Sequence, residues 1–286
     1  MRIVIVFARP LLPTTTSVSS HMGCELVVVG GGNMGAALLM GMLSSGEFAA
    51  DAVAVVEPLA DRRTILSDQF PGVLVSDQIP ECDGAVLAVK PQHVPEVARD
   101  AAAAGARRLL SIAAGVTTAT IAAAAGPSTA VVRAMPNTPA LVGKGVSAIT
   151  AGPGAGDDDL EWAERILGSV GMTVRAPESQ FDAVTGLTGS GPAYVFFVAE
   201  ALIEAGTTAG LDPALVESMV SQLLVGSAAL LAAQGDPASL RAMVTSPGGT
   251  TAAGIAVLED QGVRSAFVDA VHAAAQRSRE LGRTSP

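Results

Sequence analysis

An apolar run followed by a glycine-rich turn constrains the fold of this chain more than any other feature. Residues 26–29 read LVVV, and Gly30, Gly32 and Gly35 then form the spacing G-x-G-x-x-G ahead of a second apolar run. This order predicts a buried strand, a turn and a helix over residues 34–45. In a dinucleotide site such glycines allow a tight turn, a close approach to pyrophosphate and close helix–strand packing. The alternative is an ordinary strand–helix turn.

The first half of the chain alternates short apolar runs with helical patterns. Further strands are predicted at residues 53–57, 73–75, 85–89, 109–112, 130–134 and 172–174. Strands at this spacing favour right-handed crossovers and a parallel sheet, in which ligands lie beyond the carboxyl ends of the strands. The predicted fold class is therefore α/β, with an N-terminal Rossmann-type doubly wound parallel sheet followed by an all-helical C-terminal dimerisation domain.

Beyond residue 178 every segment is predicted to be helical. The helices over residues 194–205 and 214–234 are apolar on nearly every face. So small a domain cannot cover both alone, and we expect them to pack against a second subunit. The predicted organisation has an extension at residues 1–22, expected to be disordered and without chemistry, a dinucleotide-binding Rossmann domain at residues 23–177, and a helical dimerisation and substrate domain at residues 178–286.

Composition and charge narrow the classes of function. The formal net charge is −10 at pH 7, which argues against a nucleic-acid surface. Cys24 and Cys82 have no metal or redox spacing, so no metal is predicted and both are expected to be buried thiols. The uncharged stretch over residues 109–132 is interrupted by glycines and a proline, so no membrane span is predicted there. Since nothing demands an oxidising compartment, a cytoplasmic protein is expected.

Two conflicting signals bear on the choice of nucleotide. Glu57 ends the second predicted strand, where an acid binds ribose hydroxyls and disfavours a 2′-phosphate. Arg62 and Arg63 follow at the start of the next helix, where a guanidinium could hold that phosphate. Alternatively, both arginines belong to a solvated helix face. The predicted cofactor is NADPH or NADH, with NADH used at least as well.

A second glycine-rich turn lies near the C-terminus. Residues 246–251 read SPGGTT and precede a predicted helix over residues 251–260. A turn of this kind presents several backbone N–H groups and hydroxyls at a helix N-terminus, which suits a small carboxylate. A simple capped turn is the alternative.

Several segments, in order along the chain, resemble the pyrroline-5-carboxylate reductase family. They are residues 30–35 (GGGNMG), 88–91 (AVKP), 113–116 (AAGV), 135–139 (MPNTP), 182–194 (DAVTGLTGSGPAY) and 246–251 (SPGGTT). The last two are specific, whereas the glycine spacing alone is not. The resemblance implies reduction of the cyclic imine 1-pyrroline-5-carboxylate to L-proline by NAD(P)H, the last step of proline synthesis. It also implies an interlocked homodimer, with dimers often assembled into decamers.

The site residues follow from the resemblance together with the motifs above. The pyrophosphate is expected at Gly30, Gly31, Gly32, Asn33 and Met34. Val89, Lys90 and Ala114 are expected along the ribose and nicotinamide, and the cofactor set is completed by Glu57, Arg62, Pro91 and Asn137. The predicted substrate set is Ser246, Gly248, Gly249, Thr250, Thr251 and Glu178. Thr251 is the predicted catalytic residue, because its hydroxyl would face the ring nitrogen.

Imine reduction requires little acid–base catalysis from the protein. A protonated imine carbon is already electrophilic, so hydride transfer depends mainly on proximity and orientation. His93 and His272 are expected to be solvated helix residues, which fits a reaction without an acid–base pair. Two alternatives stay open: a reductase of another cyclic imino acid on the same scaffold, and a non-catalytic nucleotide-binding regulator.

Overall fold

The computed structural model describes residues 23–284, so the predicted N-terminal extension lies outside the described residues. The strands are β1 (Cys24–Val29), β2 (Val53–Val56), β3 (Leu74–Ser76), β4 (Cys82–Leu87), β5 (Arg108–Ser111), β6 (Ala130–Met135), β7 (Gly145–Ala151) and β8 (Gly171–Arg175). They form one sheet in the order β3-β2-β1-β4-β5-β6-β7-β8. The direction in which successive strands are added reverses at β1, so the crevice between the ends of β1 and β4 is the switch point at which such sheets bind ligands.

The sheet is mostly parallel, but its last pairings differ from the prediction. Strands β1 to β6 pair in parallel, whereas β7 runs antiparallel to β6 and parallel to β8. Strand β7 was not predicted, because its sequence GVSAITA mixes glycine, serine and threonine with the apolar residues and lacks a continuous apolar run. The α/β fold class is confirmed, and the wholly parallel sheet is corrected to a mostly parallel one.

Helices cover both faces of the sheet. They are α1 (Asn33–Ser45), α2 (Ala60–Gln69), α3 (Val94–Ala103), α4 (Thr118–Ala125) and α5 (Asp157–Gly168). Leu26 and Val28 belong to the hydrophobic core that includes α1 and α5, while Val27 and Val29 belong to the core that includes α3 and α4. Because both faces of β1 are buried, its sequence is a continuous apolar run rather than an alternating one.

The C-terminal part is helical, as predicted. It contains α6 (Phe181–Val184), a π-helical turn (Thr185–Gly189), α7 (Gly191–Thr208), α8 (Pro213–Gln234), α9 (Pro237–Met243), α10 (Thr250–Asp260) and α11 (Val263–Thr284). Helix α7 packs on α8, and α11 packs on α6 and the π-helical turn. The Asp212 side chain caps α8 by accepting a hydrogen bond from the Ala214 amide at 2.9 Å.

The long helices expose large apolar side chains in the single chain. Phe196 and Phe197 of α7 are 63% and 70% exposed, and Leu223 and Val225 of α8 are also exposed. By length and composition alone, Glu178–Thr208 and Pro213–Gln234 are apolar enough to cross a membrane. In the single chain these apolar surfaces of α7 and α8 are uncovered, and they are the surfaces predicted to pack against a second subunit.

Candidate functional site

The glycine turn after β1 lies at the switch point of the sheet. Gly30 donates its amide to the Val56 carbonyl at 2.8 Å and has a φ of +110°, a conformation that side chains rarely adopt. A Cβ at Gly30 would also lie 2.5 Å from the Ala88 carbonyl oxygen, and one at Gly35 would overlap the Gly30 carbonyl. Only glycine fits at these two positions, so the turn, strand and helix pack as the motif requires.

Beyond this turn the N-terminus of α1 is open. Gly32 is its N-cap residue, and among the described residues no side chain caps it and no acid lies in its first turn. Within that same part of the chain, no atom beyond Gly32 and its two chain neighbours lies within 4 Å of a Cβ placed at Gly32. Asn33 is exposed and Met34 is half-buried. The free amides and the positive end of the helix dipole suit a pyrophosphate, so the residues present fit a dinucleotide.

The loop after β2 brings Glu57 and Arg62 to the glycine turn. Glu57 is 8% exposed, and its Oε1 accepts a hydrogen bond from the Leu59 amide at 3.1 Å. Arg62 donates from its guanidinium to the Gly31 carbonyl. Arg63 donates to the carbonyls of Glu57 and Pro58, at 3.0 and 2.8 Å. Both arginines therefore have partners within the chain, while the carboxylate of Glu57 is held beside the turn.

The residues that follow β4 and β5 lie at the same carboxyl edge of the sheet as the glycine turn. Val89 is half-buried, Lys90 is exposed, and Pro91 opens a short 3₁₀ turn, Pro91–His93. Ala114 is exposed after β5. The carboxyl ends of β1, β2, β4 and β5 lie at one edge because these strands are parallel, so the structure brings the predicted cofactor residues on them together.

The side chain of Asn137, a predicted cofactor residue, makes its hydrogen bonds within the chain. Its amide nitrogen donates to the Thr188 carbonyl of the π-helical turn at 3.1 Å, and its oxygen accepts from the Val146 amide at 2.9 Å. Both polar ends of this side chain thus join the sheet to the helical part of the chain. We therefore assign Asn137 to this junction and leave it out of the cofactor contacts.

Glu178, a predicted substrate residue, also makes its hydrogen bonds within the chain. Its carboxylate accepts hydrogen bonds from the amide and the hydroxyl of Thr118, both at 2.8 Å, and from Arg133 at 2.9 Å. Burial raises the pKa of the carboxyl, but these hydrogen bonds and the guanidinium charge outweigh burial, so its pKa lies below the ordinary value. Three hydrogen bonds hold the carboxylate inside the fold while 32% of the side chain stays exposed, and we assign Glu178 a structural role.

Arg133 is the partner that sequence reasoning missed. Its side chain is 6% exposed, and its guanidinium carbon lies 4.7 Å from the centre of the Phe181 ring. The signal was present, since Arg133 interrupts an otherwise apolar buried strand and a buried charge needs a partner. The partner could not be read from the sequence, because Glu178 is 45 residues away.

The predicted substrate turn is an open surface in the single chain. The Gly249 amide donates to the Ser246 carbonyl at 3.0 Å, and Gly248 has a φ of +71°. Gly249 is the N-cap of α10 and, among the described residues, receives no side-chain cap. Ser246, Thr250 and Thr251 are exposed. The amides at the start of α10 and the three hydroxyls are therefore accessible to a small anion.

The comparisons with known proteins agree with this geometry. Residues 178–281 match the family model described as pyrroline-5-carboxylate reductase dimerisation, and residues 25–115 match the one described as NADP oxidoreductase coenzyme F420-dependent. A pyrroline-5-carboxylate reductase of Synechocystis sp. is 42% identical over 268 residues, covering 92% of this chain and 100% of that relative. The chain belongs to the pyrroline-5-carboxylate reductase family. A reductase of this name from Arabidopsis thaliana is 36% identical, covering 90% of this chain and 95% of the relative.

Solved structures of the pyrroline-5-carboxylate reductase family share the fold. A pyrroline-5-carboxylate reductase from Coxiella burnetii has a TM-score of 0.84 at 32% identity, covering 90% of this chain and 98% of that one. The reductase of Plasmodium falciparum, solved with NADP bound, has a TM-score of 0.78 at 28% identity, covering 91% and 98%. The family resemblance read from the sequence is confirmed.

Proposed function

We propose that this protein reduces 1-pyrroline-5-carboxylate to L-proline with NAD(P)H, the last step of proline biosynthesis. The observation that carries the proposal is full-length family membership combined with an open glycine turn at the switch point of the sheet. Relatives named pyrroline-5-carboxylate reductase, and a related structure solved with NADP, support both the substrate and the cofactor.

The cofactor residues act by binding and orientation. NAD(P)H supplies the hydride when it is bound. Gly30, Gly31 and Gly32 let the backbone approach the pyrophosphate, and the amides of Asn33 and Met34 face it from the start of α1. Glu57 meets the adenosine ribose, with Arg62 beside it, while Val89, Lys90, Pro91 and Ala114 line the way to the nicotinamide. The backbone amides at the start of α1 must stay exposed because they bind the pyrophosphate.

The substrate residues hold the ring in line for hydride transfer. The Ser246 hydroxyl and the free amides at the start of α10 bind the carboxylate, which favours the positive end of α10. The protonated ring nitrogen donates a hydrogen bond to the Thr251 hydroxyl, and the imine carbon then accepts the hydride. No further proton is required in this step, which agrees with a site built from hydroxyls and amides.

We propose that a second copy of the chain covers α7 and α8. A cavity of about 350 Å³ opens beside this surface, and its walls are Asn137, Pro139, Leu187, Thr188, Gly191, Pro192, Val195 and Phe196. The match to the dimerisation model and the exposed phenylalanines support a homodimer rather than a membrane as the partner. Decamers of such dimers are a further expectation, as is a cytoplasmic location, which the biosynthetic role of the relatives supports.

A comparison of substrates tests the proposed function. We expect kcat/KM for 1-pyrroline-5-carboxylate to exceed that for the six-membered cyclic imino acid, since a pocket shaped for the smaller ring discriminates against one extra methylene by about 10–200-fold. A preference for the larger ring would show that the scaffold serves another imino acid. Cofactor binding without oxidation by either substrate would indicate a nucleotide-binding regulator.

A further inference from the structure

The two cysteines of the chain lie side by side at the edge of the sheet opposite the glycine turn. Cys24 is the first residue of β1, Cys82 is the first residue of β4, and the two are direct partners in the parallel register. Neighbouring strands lie about 4.8 Å apart, within the range of about 4.4–6.8 Å between the Cα atoms of a disulfide. Register partners also point to the same face, so the two side chains are neighbours there.

The two thiols differ in exposure and in acidity. Cys82 is 4% exposed, whereas Cys24 is only half-buried. The neighbouring Cys82 thiol lowers the pKa of Cys24, against the opposing effect of burial. The neighbouring Cys24 thiol and burial raise the pKa of Cys82. A reagent in solution therefore meets the thiol that ionises more readily, with the second thiol directly behind it.

We propose that Cys24 and Cys82 form a reversible intramolecular disulfide by exchange with a low-molecular-weight disulfide. The Cys24 thiolate attacks one sulfur of the reagent, which gives a mixed disulfide and releases one thiolate. Cys82 then loses its proton to solvent and attacks the Cys24 sulfur, which releases the second thiolate. The reagent gains two electrons and two protons as two thiols, and the protein loses two hydrogen atoms.

The location separates this chemistry from the nucleotide site. The glycine turn follows the other end of β1, and Val89 and Lys90 follow the other end of β4. Six residues of strand at about 3.3 Å each place the sulfur atoms about 20 Å from that edge. Oxidation should therefore leave the KM for the cofactor unchanged, and the test below does not depend on the proposed reductase activity.

The test uses the reduced full-length protein and oxidised glutathione, followed by intact mass after an acid quench. We expect the wild-type mass to fall by two hydrogen atoms without a retained glutathione, and dithiothreitol to restore it. Cys82→Ser should retain one glutathione at Cys24, because the second thiol is missing. Cys24→Ser should add none in the same time, since Cys82 is buried. These two variants are matched, as each removes one sulfur from the pair.

Several results would overturn the proposal. They are a stable glutathione adduct on the wild type, a covalent dimer on a non-reducing gel, no reaction at all, or equal rates for the two variants. Should Cys82→Ser fail to fold, iodoacetamide labelling of the native wild type shows which thiol reacts first, and the wild-type mass still reports the disulfide. Cys24 should then be alkylated well before Cys82, and equal labelling rates would contradict the inference.

Discussion

Glu178→Gln separates a structural role for this side chain from the substrate role that the sequence predicts. The substitution keeps the shape but removes the charge that Arg133 faces, and it places an amide opposite at least one of three donors. Removing one partner of a buried ion pair costs about 3–5 kcal/mol. Because the Glu178 side chain is 32% exposed and water screens part of the interaction, we expect a loss of about 2–3 kcal/mol.

The pH dependence gives the same prediction a second readout. The pKa of Glu178 in the folded protein lies below its ordinary value of 4.5, so its contribution is fully present above that pH. It is lost as the pH falls through the lower pKa of the folded state. The difference in unfolding free energy between wild type and variant should therefore be constant near neutral pH and shrink in acid.

The assay is denaturant unfolding at a fixed protein concentration, because association also contributes to stability. Glu164→Gln is the matched control, since Glu164 pairs with the exposed Arg175 and should matter much less. The reasoning is refuted if Glu178→Gln is as stable as wild type and instead raises the KM for the substrate. A stability difference that persists unchanged in acid would also contradict it.

The remaining predictions concern the site and the assembly. Thr251→Ala should fold and bind cofactor but lose turnover, while Thr251→Ser retains much of it; wild-type turnover in the alanine variant would make Thr251 only a helix-start residue. Ser246→Ala should mainly raise the KM, because a carboxylate contact is nearly equal in the ground and transition states. NADH should serve at least as well as NADPH because Glu57 would face a 2′-phosphate, and steady-state kinetics with both decide it; a strong NADPH preference that vanishes in Arg62→Ala would contradict this. Light scattering should find at least a homodimer, and a stable, active monomer at micromolar concentration would refute the covered α7 and α8 surface.

The apolar pattern predicted the parts of the fold that depend on local sequence. A strand buried on both faces is a continuous apolar run, so β1 was predicted at residues 26–29, and the structure adds Cys24 and Glu25 at its start. The helix caps at Asp212 and Gly235 set the limits of α8 for the same local reason. Strand β7 was missed because its sequence mixes glycine, serine and threonine with apolar residues, so no continuous apolar run marks it, although its antiparallel partner β6 is the preceding strand.

In the candidate site, too, features set by local backbone geometry were predictable, whereas contacts between distant parts of the chain were not. Gly30 and Gly35 were predictable because their backbone geometry allows no side chain, which is a property of the position itself. Glu178 and Asn137 were assigned to ligands, and the structure uses both to join the sheet to the helices. A polar side chain in a family motif can serve a partner far along the chain, and only the three-dimensional contacts distinguish that partner from a ligand.

The reductase activity is tested by measuring the formation of L-proline from 1-pyrroline-5-carboxylate together with the loss of the dihydronicotinamide absorbance. Purified protein should oxidise one NADH or NADPH for each L-proline formed, and neither change should occur without the imine. The protein is not this reductase if it binds cofactor but does not oxidise it in the presence of 1-pyrroline-5-carboxylate, or if it oxidises cofactor without forming L-proline.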